Sequence, residues 1–258
     1  MRNNGLIFLM YHELEANGRP LCHAEQGYVR YVVREPDFRA QMNWLQSAGF
    51  RGLSVANVLE KRDVDGIVIT FDDGCASDLA IAAPILREMN FNATFYITVG
   101  FLGRPGYLVP SQVRDLSDAG FEVGCHSMTH PYLSDLNEAQ LHTEIAEAKG
   151  CLENIIGRAV HQFSCPGGRW SLKVAEHARQ AGYRSVATSR IGANHPQADA
   201  FRLARVAVMR DIPLHDFQHL SRGHAFWQRR FLKSLQRTSR QLLGNTLYDR
   251  LRSFILEP

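Results

Sequence analysis

Short apolar runs alternate with amphipathic segments along most of the chain. The apolar runs are of strand length and fall at residues 6–11, 67–71, 94–99, 121–125, 160–164, 183–187 and 201–208. The intervening segments repeat apolar residues three or four positions apart, which predicts helices at residues 36–49, 54–62, 77–89, 111–119, 137–156 and 171–181. Strands that alternate with helices are typical of a parallel sheet. The order therefore favours an α/β fold, a (β/α) barrel of about seven strands, with a doubly wound open sheet as the alternative.

The pattern changes near the C-terminus. Residues 1–221 contain the alternating elements, and no linker or internal repeat divides them. Residues 222–258 carry eight Arg and Lys against two Asp and Glu, with apolar residues near helical spacing. We expect a basic amphipathic helical segment there. It either packs on the barrel or lies on an anionic membrane surface.

Polar residues follow directly after four of the predicted strands. These are His12, the pair Asp72 and Asp73, His126, and the turn at residues 165–168. In a parallel barrel the carboxyl ends of all strands meet at one rim, where active sites lie. The sequence therefore predicts a single site at that rim.

The residue types at this rim indicate a metal-dependent reaction. Two adjacent carboxylates, Asp72 and Asp73, repel each other unless a cation or a proton lies between them. Gly74 permits the turn that would bring both to one site. His126 and His130, four positions apart, would share one face of a helical turn and reach a single ion. Two His and one carboxylate leave coordination positions open, as a catalytic site requires. A surface turn and non-ligand histidines are the alternatives.

Taken together and in this order, residues 70–74, 126–130 and 164–170 resemble the polysaccharide deacetylase family with the NodB-homology fold. The resemblance covers about residues 5–210. It implies a deformed (β/α) barrel, a divalent metal (usually zinc), and removal of N-acetyl groups from glycans. It also implies that Asp72 is the general base and that Asp73, His126 and His130 bind the metal.

A general acid must protonate the leaving nitrogen, because an amide nitrogen leaves poorly as an anion. In most of the family this acid is a late His, and His215 is the candidate at that place. The early run Met10-Tyr11-His12 instead resembles the exopolysaccharide-associated subgroup, in which the acid lies at the end of the first strand. We favour His12, with His215 as the alternative.

The third motif departs from the family pattern. The family usually has an Arg here that pairs with the catalytic Asp, but this chain has Ser164, and Arg169 is a candidate substitute. Gly167 could offer its backbone N–H to the oxyanion. Trp170 could stack on a sugar or pack internally. Gly167, Arg169 and Trp170 are thus the candidate substrate-binding residues.

Composition limits the partners and the compartment. The five cysteines form no C-x-x-C pair, and their odd number favours a reducing compartment. No run approaches the about 20 apolar residues of a spanning helix. We therefore expect a cytoplasmic protein, with membrane contact through the C-terminal segment left open. The acidic balance of residues 1–221 argues against a nucleic-acid partner.

The sequence thus favours an N-deacetylase acting on a glycan that contains N-acetylhexosamine. Two other functions remain open: a metal-dependent carbohydrate O-acetyl esterase, and a non-catalytic glycan-binding barrel that retains its metal. Asp72 argues against the latter, since a binding module needs ligands but no base.

Overall fold

A computed structural model describes residues 5–61 and 65–224 of the chain. Its strands are β1 Phe8–Tyr11, β2 Leu14–Glu15, β3 Val33–Arg34, β4 Gly52–Leu53, β5 Ile67–Phe71, β6 Thr94–Ile97, β7 Glu122–Cys125, β8 Gln162–Ser164, β9 Ser185–Ala187 and β10 Val206–Ala207. Its α-helices are α1 Gln26–Val29, α2 Glu35–Ser47, α3 Val55–Glu60, α4 Ala83–Glu88, α5 Pro110–Asp118, α6 Glu138–His142, α7 Ala148–Ile156, α8 Leu172–Gln180 and α9 Leu214–Ser221. A π-helical turn leads into α4, and another joins α6 to α7.

The central sheet is parallel, with the order β10-β1-β5-β6-β7-β8-β9, and β4 pairs with the start of β5. The segment from Leu203 to Ala207 lies between β9 and β1 and contacts both strands. Leu203 bridges to Ala187 of β9, and Val206 pairs with Leu9 of β1. The sheet therefore curves round on itself with helices outside it. This is the predicted (β/α) barrel, and the prediction is confirmed.

Local capping explains where several helices begin. The Ser54 hydroxyl accepts a hydrogen bond from the Asn57 backbone N–H, and the Asn57 side chain accepts one from the Ser54 N–H. Ser171 caps α8 in a similar way through the N–H of Val174. Gly49, with φ of 77°, follows the end of α2, as the sequence predicts.

The strands β1, β5 and β6 are buried on both faces. Every residue of β1, β5 and β6 is buried, which is typical of a parallel sheet covered by helices. A row of aromatic rings, Tyr11, Phe71 and Phe95, stacks across β1, β5 and β6 with centroids 5.3 and 4.9 Å apart. This packing makes the strand ends a rigid platform for the side chains beyond them.

Some predicted elements differ in the structure. The strand expected at residues 201–208 is a 3-10 turn at Ala200–Arg202 followed by the short β10. The pair β2–β3 and the helix α1 lie in a region where the sequence predicted no element. No helix in the described ranges is long and apolar enough to cross a membrane. Residues 225–258, nearly all of the predicted basic segment, lie outside those ranges, so the domain boundary at residue 221 stays a prediction.

Candidate active site

The register of the sheet brings the predicted residues together at one rim. Tyr11 of β1 pairs with Phe71 of β5, and the Asp72 N–H donates to the Tyr11 carbonyl at 3.0 Å. His12 and Asp72 therefore occupy equivalent positions on neighbouring strands. Directly after β7, the N–H of His126 donates to the Ile97 carbonyl at 2.8 Å, which extends the pairing of β7 with β6.

Asp72 and Asp73 both face the site because the chain turns between them. Asp73 has φ of 77° and Gly74 has φ of 82°. The turn thus begins at Asp73 itself, one residue before the glycine that the sequence suggested. A non-glycine residue in the left-handed region costs free energy and persists only where its surroundings hold it.

The segment from His126 to His130 is a loop, so the predicted helical turn is wrong. Ser127 and His130 have φ of 70° and 67°, and the His130 N–H donates to the Ser127 hydroxyl at 3.0 Å. These left-handed residues reverse the chain and bring both imidazoles to one side, with ring centroids 5.0 Å apart. The spacing therefore joins the two rings, but through a different backbone conformation.

Glu144, from the π-helical turn between α6 and α7, fixes this loop. Its carboxylate accepts hydrogen bonds from the N–H groups of Met128 and Thr129, at 2.9 and 2.8 Å, and from the Thr129 hydroxyl at 2.6 Å. Glu144 is buried. A buried carboxylate with three donors is a strong anchor, because hydrogen bonds to charged groups exceed neutral ones in strength.

Asp73, His126 and His130 form a three-ligand cluster. Asp73 Oδ1 lies 3.5 Å from His126 Nε2 and 3.4 Å from His130 Nε2. Within the described residues, this buried oxygen has no hydrogen-bond partner. Two imidazole nitrogens facing one unsatisfied carboxylate oxygen fit a divalent ion such as zinc.

The tautomer and charge of His126 also suit a metal ligand. Its Nδ1 lies 2.8 Å from the carbonyl oxygen of Ser164, so that nitrogen carries the proton and Nε2 is free to coordinate. Burial lowers the pKa of His126 to about 4, although the charge of Asp72 opposes the shift. The ring is therefore neutral near pH 7, as metal coordination requires.

Arg205 pairs with Asp72. The side chain of this Arg is fully buried, and its two terminal nitrogens donate to the two carboxylate oxygens at 2.7 and 2.8 Å. Further hydrogen bonds run from Arg205 to the Ser164 hydroxyl at 2.7 Å and to the Thr188 carbonyl at 3.1 Å. Arg205 thus occupies the place for which Arg169 was the candidate. The small Ser164 contacts both partners, with its hydroxyl 3.4 Å from Asp72 Oδ2.

This ion pair sets the charge of Asp72. Burial by itself would raise the pKa of Asp72, but the charges of Arg205 and His126 hold the pKa well below its usual range. Asp72 is therefore ionised at neutral pH. Its Oδ2 lies 3.8 Å from His126 Nε2, so a bound ion and this carboxylate would share one small space.

The candidate substrate-binding residues lie beyond β8. Gly167 has φ of 57° in the turn Pro166–Gly168. The guanidinium of Arg169 lies over the ring of Tyr132, 4.3 Å from its centroid. Trp170 donates from its indole nitrogen to the Phe201 carbonyl at 2.7 Å and packs against the core. These contacts give Trp170 a packing role, and the substrate-binding roles stay predictions.

The two candidates for the acid have different surroundings. His12 follows β1 at the rim, with its ring 5.0 Å from Tyr31. Its buried Nδ1 has no hydrogen-bond partner in the described part of the chain. His215 lies on α9, where its side chain is 71% exposed and bonds to Asp216 at 3.0 Å. The geometry favours His12.

Sequence reasoning missed Arg205 and Glu144. A signal for Arg205 was present, since it is the single charged residue in the apolar run 203–208. A charge in a buried strand requires a partner of opposite sign. Glu144 carries no such signal, because an acid on a helix is ordinarily solvated.

Comparison with known proteins finds polysaccharide deacetylases similar to this chain. The family model described as polysaccharide deacetylase matches residues 60–186. YxkH of Bacillus subtilis, a protein assigned to the polysaccharide deacetylases, is 26% identical over 209 residues, covering 79% of this chain and 71% of its own. A chitooligosaccharide deacetylase of Azorhizobium caulinodans is 36% identical over 125 residues, covering 48% of this chain and 58% of its own.

A solved structure shares the fold. The Streptococcus pyogenes deacetylase PplD, in complex with acetate, superimposes with a TM-score of 0.73 at 19% identity, covering 83% of this chain and 97% of that one. This likeness supports the barrel. Together with the family match, it confirms the resemblance seen in the sequence.

Proposed function

Because the chain belongs to the polysaccharide deacetylase family, we propose that it is a metal-dependent hydrolase that removes N-acetyl groups from N-acetylhexosamine units of a glycan. The observation that carries this proposal is the ion pair of Asp72 with Arg205 beside the cluster of Asp73, His126 and His130. A binding barrel needs only the cluster, and the ionised carboxylate next to it provides a base.

Each site residue has a distinct role in the proposed reaction. A divalent ion held by Asp73, His126 and His130 would polarise the acetyl carbonyl and lower the pKa of water. Asp72 accepts the proton of the attacking water, and Arg205 keeps its carboxylate ionised and oriented. His12 donates a proton to the amide nitrogen as its bond to the carbonyl carbon breaks. One water is consumed, and acetate and a free amine are formed.

The substrate class follows from two lines of support. The relative from Azorhizobium caulinodans is named as a chitooligosaccharide deacetylase, which acts on an amino-sugar glycan. The run Met10-Tyr11-His12 resembles the exopolysaccharide-associated subgroup. We therefore infer an exopolysaccharide intermediate, in free or lipid-linked form, as the substrate.

We also propose that the protein works in a reducing compartment. All five cysteines are free thiols, which supports a reducing compartment such as the cytoplasm. Contact with anionic lipid through the basic C-terminal segment would bring the site to a lipid-linked glycan. Fractionation of the native protein tests the compartment, and sedimentation with anionic vesicles at rising salt tests the contact. Recovery outside the cytoplasm, or no binding at low salt, would contradict these two inferences.

The central experiment measures acetate and primary amine together on N-acetylglucosamine oligomers. We expect equal amounts of both products. Asp72→Asn should retain bound metal but lose turnover by about 10² or more, because the base is removed. Asp115→Asn is the matched control, since Asp115 lies exposed on α5 and should keep full activity.

Other outcomes would contradict the proposal. Acetate released from an O-acetylated sugar, with no amine formed from any N-acetylated glycan, would make the protein an esterase. Binding of glycan and metal without any product would make it a binding barrel. Full turnover in Asp72→Asn would remove Asp72 from the mechanism.

A further inference from the structure

A second group of side chains that could hold a metal ion lies next to the candidate active site. Glu13 follows His12, Cys75 comes two residues after Asp73, and Cys22 lies in the loop between β2 and α1. Glu13 and Cys75 are buried, and Cys22 is half-buried. The ligand atoms of these three residues lie within 4.8 Å of one another. We call Glu13, Cys22 and Cys75 the Cys–Glu cluster.

The spacing of the two sulfur atoms suits a tetrahedral ion. Sγ of Cys22 and Sγ of Cys75 are 3.8 Å apart. Zinc–sulfur bonds of about 2.3 Å at tetrahedral angles place two sulfurs about 3.8 Å apart. A disulfide would require about 2.0 Å, so the pair would have to approach much more closely. Two thiolates and one carboxylate favour zinc over calcium or magnesium, which prefer oxygen ligands alone.

The cluster is held by a shell of hydrogen bonds. The Cys22 N–H donates to both carboxylate oxygens of Glu13, at 3.2 and 3.0 Å. The Tyr28 hydroxyl donates to Glu13 Oε2 at 3.0 Å and lies 3.5 Å from Cys75 Sγ. Such contacts orient ligands around a metal.

The backbone of Gly106 packs closely against the Cys22 sulfur. Gly106, with φ of 86°, lies against Cys22, and an added Cβ would come within 2.7 Å of its Sγ. The Cys22 thiol donates a hydrogen bond to the Gly106 carbonyl at 3.2 Å, and the Ala76 N–H donates to the same carbonyl at 2.8 Å. Three separate stretches of chain thus meet at the cluster.

A buried acid without a hydrogen-bond partner also lies close to the cluster. Asp78 is fully buried, and its N–H donates to the Cys75 carbonyl at 2.9 Å. Neither carboxylate oxygen of Asp78 has a hydrogen-bond partner among the described residues. Buried polar groups are ordinarily paired, and an unpaired acid requires an explanation such as an ion nearby.

We propose that Glu13, Cys22 and Cys75 form a second metal site, which binds a divalent ion of the zinc type. Binding converts both thiols to thiolates and releases two protons. The ion joins the segment that carries His12 to the turn that carries Asp73. Its role is to hold these two parts of the rim together, without contact with the substrate.

Cobalt provides the test, because a thiolate bound to Co²⁺ gives a charge-transfer absorption that nitrogen and oxygen ligands do not give. The full chain is kept reduced with a phosphine and titrated with Co²⁺, and bound metal and absorption are measured. We expect two equivalents and a thiolate band. Cys22→Ser should lose one equivalent and the band, whereas the matched control Cys151→Ser keeps both. His126→Ala should lose one equivalent and keep the band.

Three results would overturn the proposal. One is a wild-type protein that binds a single equivalent without the band. Another is a band that persists in Cys22→Ser. The third is loss of two thiols to a Cys22–Cys75 disulfide, with no second equivalent in the reduced protein. Cys22 is the residue to replace first, since it is less buried than Cys75 and its substitution is better tolerated. The thiolate band of the wild type is a measurement that needs no variant.

Discussion

Replacing Arg205 with Met removes a buried charge while keeping much of the side-chain volume. Asp72, which is only 3% exposed, then loses its bidentate partner. Removal of one partner from a buried ion pair costs about 3–5 kcal/mol, because the other charge is left uncompensated. We expect Arg205→Met to lose stability in this range at pH 7. The remaining Asp72 charge accounts for most of the loss.

The double variant Asp72→Asn/Arg205→Met measures the contribution of that charge by removing it. It leaves no buried carboxylate, so it should be more stable than Arg205→Met alone. Urea unfolding of the wild type, both single variants and the double variant gives the coupling free energy. Arg202→Met is the matched control, since Arg202 is exposed and contacts Trp170; we expect it to lose at most about 1 kcal/mol.

The free energy of unfolding should change with pH differently in the wild type and in Arg205→Met. In the wild type the pKa of Asp72 lies below its usual range, so the stabilisation is present at neutral pH and is lost as pH falls through that lowered pKa. In Arg205→Met, burial raises the pKa of Asp72. The stability difference from wild type should therefore shrink as pH falls from 7 towards about 4. The acid limb of turnover should move to higher pH, which a purely structural role would not cause.

Two results would refute this reasoning. If the single substitutions add without coupling, the ion pair has no energetic role. If Arg205→Met keeps the wild-type acid limb in its pH–rate profile, Arg205 does not govern the ionisation of Asp72.

Three further predictions concern the other site residues. His126→Ala should lose one equivalent of bound zinc by metal analysis and all turnover, and normal metal content would contradict the ligand assignment. His12→Ala should cripple deacetylation while His215→Ala stays near wild type in the acetate assay; the reverse result would transfer the acid role to His215. Glu144→Gln should cost about 1–3 kcal/mol on urea unfolding, because hydrogen bonds to the loop are lost, and should weaken zinc binding about 10–100-fold by titration. Unchanged zinc affinity would show that the loop does not depend on Glu144.

The fold could be predicted from the sequence because buried parallel strands give continuous apolar runs. The runs at residues 67–71 and 121–125 contain β5 and β7, and the acids and histidines after them stand out against this background. Placement at strand ends was therefore enough to bring Asp72 and His126 to one rim.

Backbone conformation and distant partners could not be predicted in this way. The spacing of His126 and His130 is compatible with both a helical turn and a loop, and Glu144 and the left-handed residues decide for the loop. Arg205 lies 133 positions from Asp72, and no local pattern joins them. Its position in an apolar run indicates that it needs a partner but does not indicate which acid.

Arg205 lies on the segment that connects the two edges of the sheet, and this has a consequence for synthesis. A ribosome has already made Asp72, Asp73, His126, His130 and most of the barrel strands before it reaches residue 205. Until Leu203–Ala207 emerges and docks between β9 and β1, Asp72 lacks its counter-charge, and burial favours the protonated acid. Under the proposed function, the site is therefore completed late in translation. Chains released before this segment should be inert even where their earlier strands have assembled.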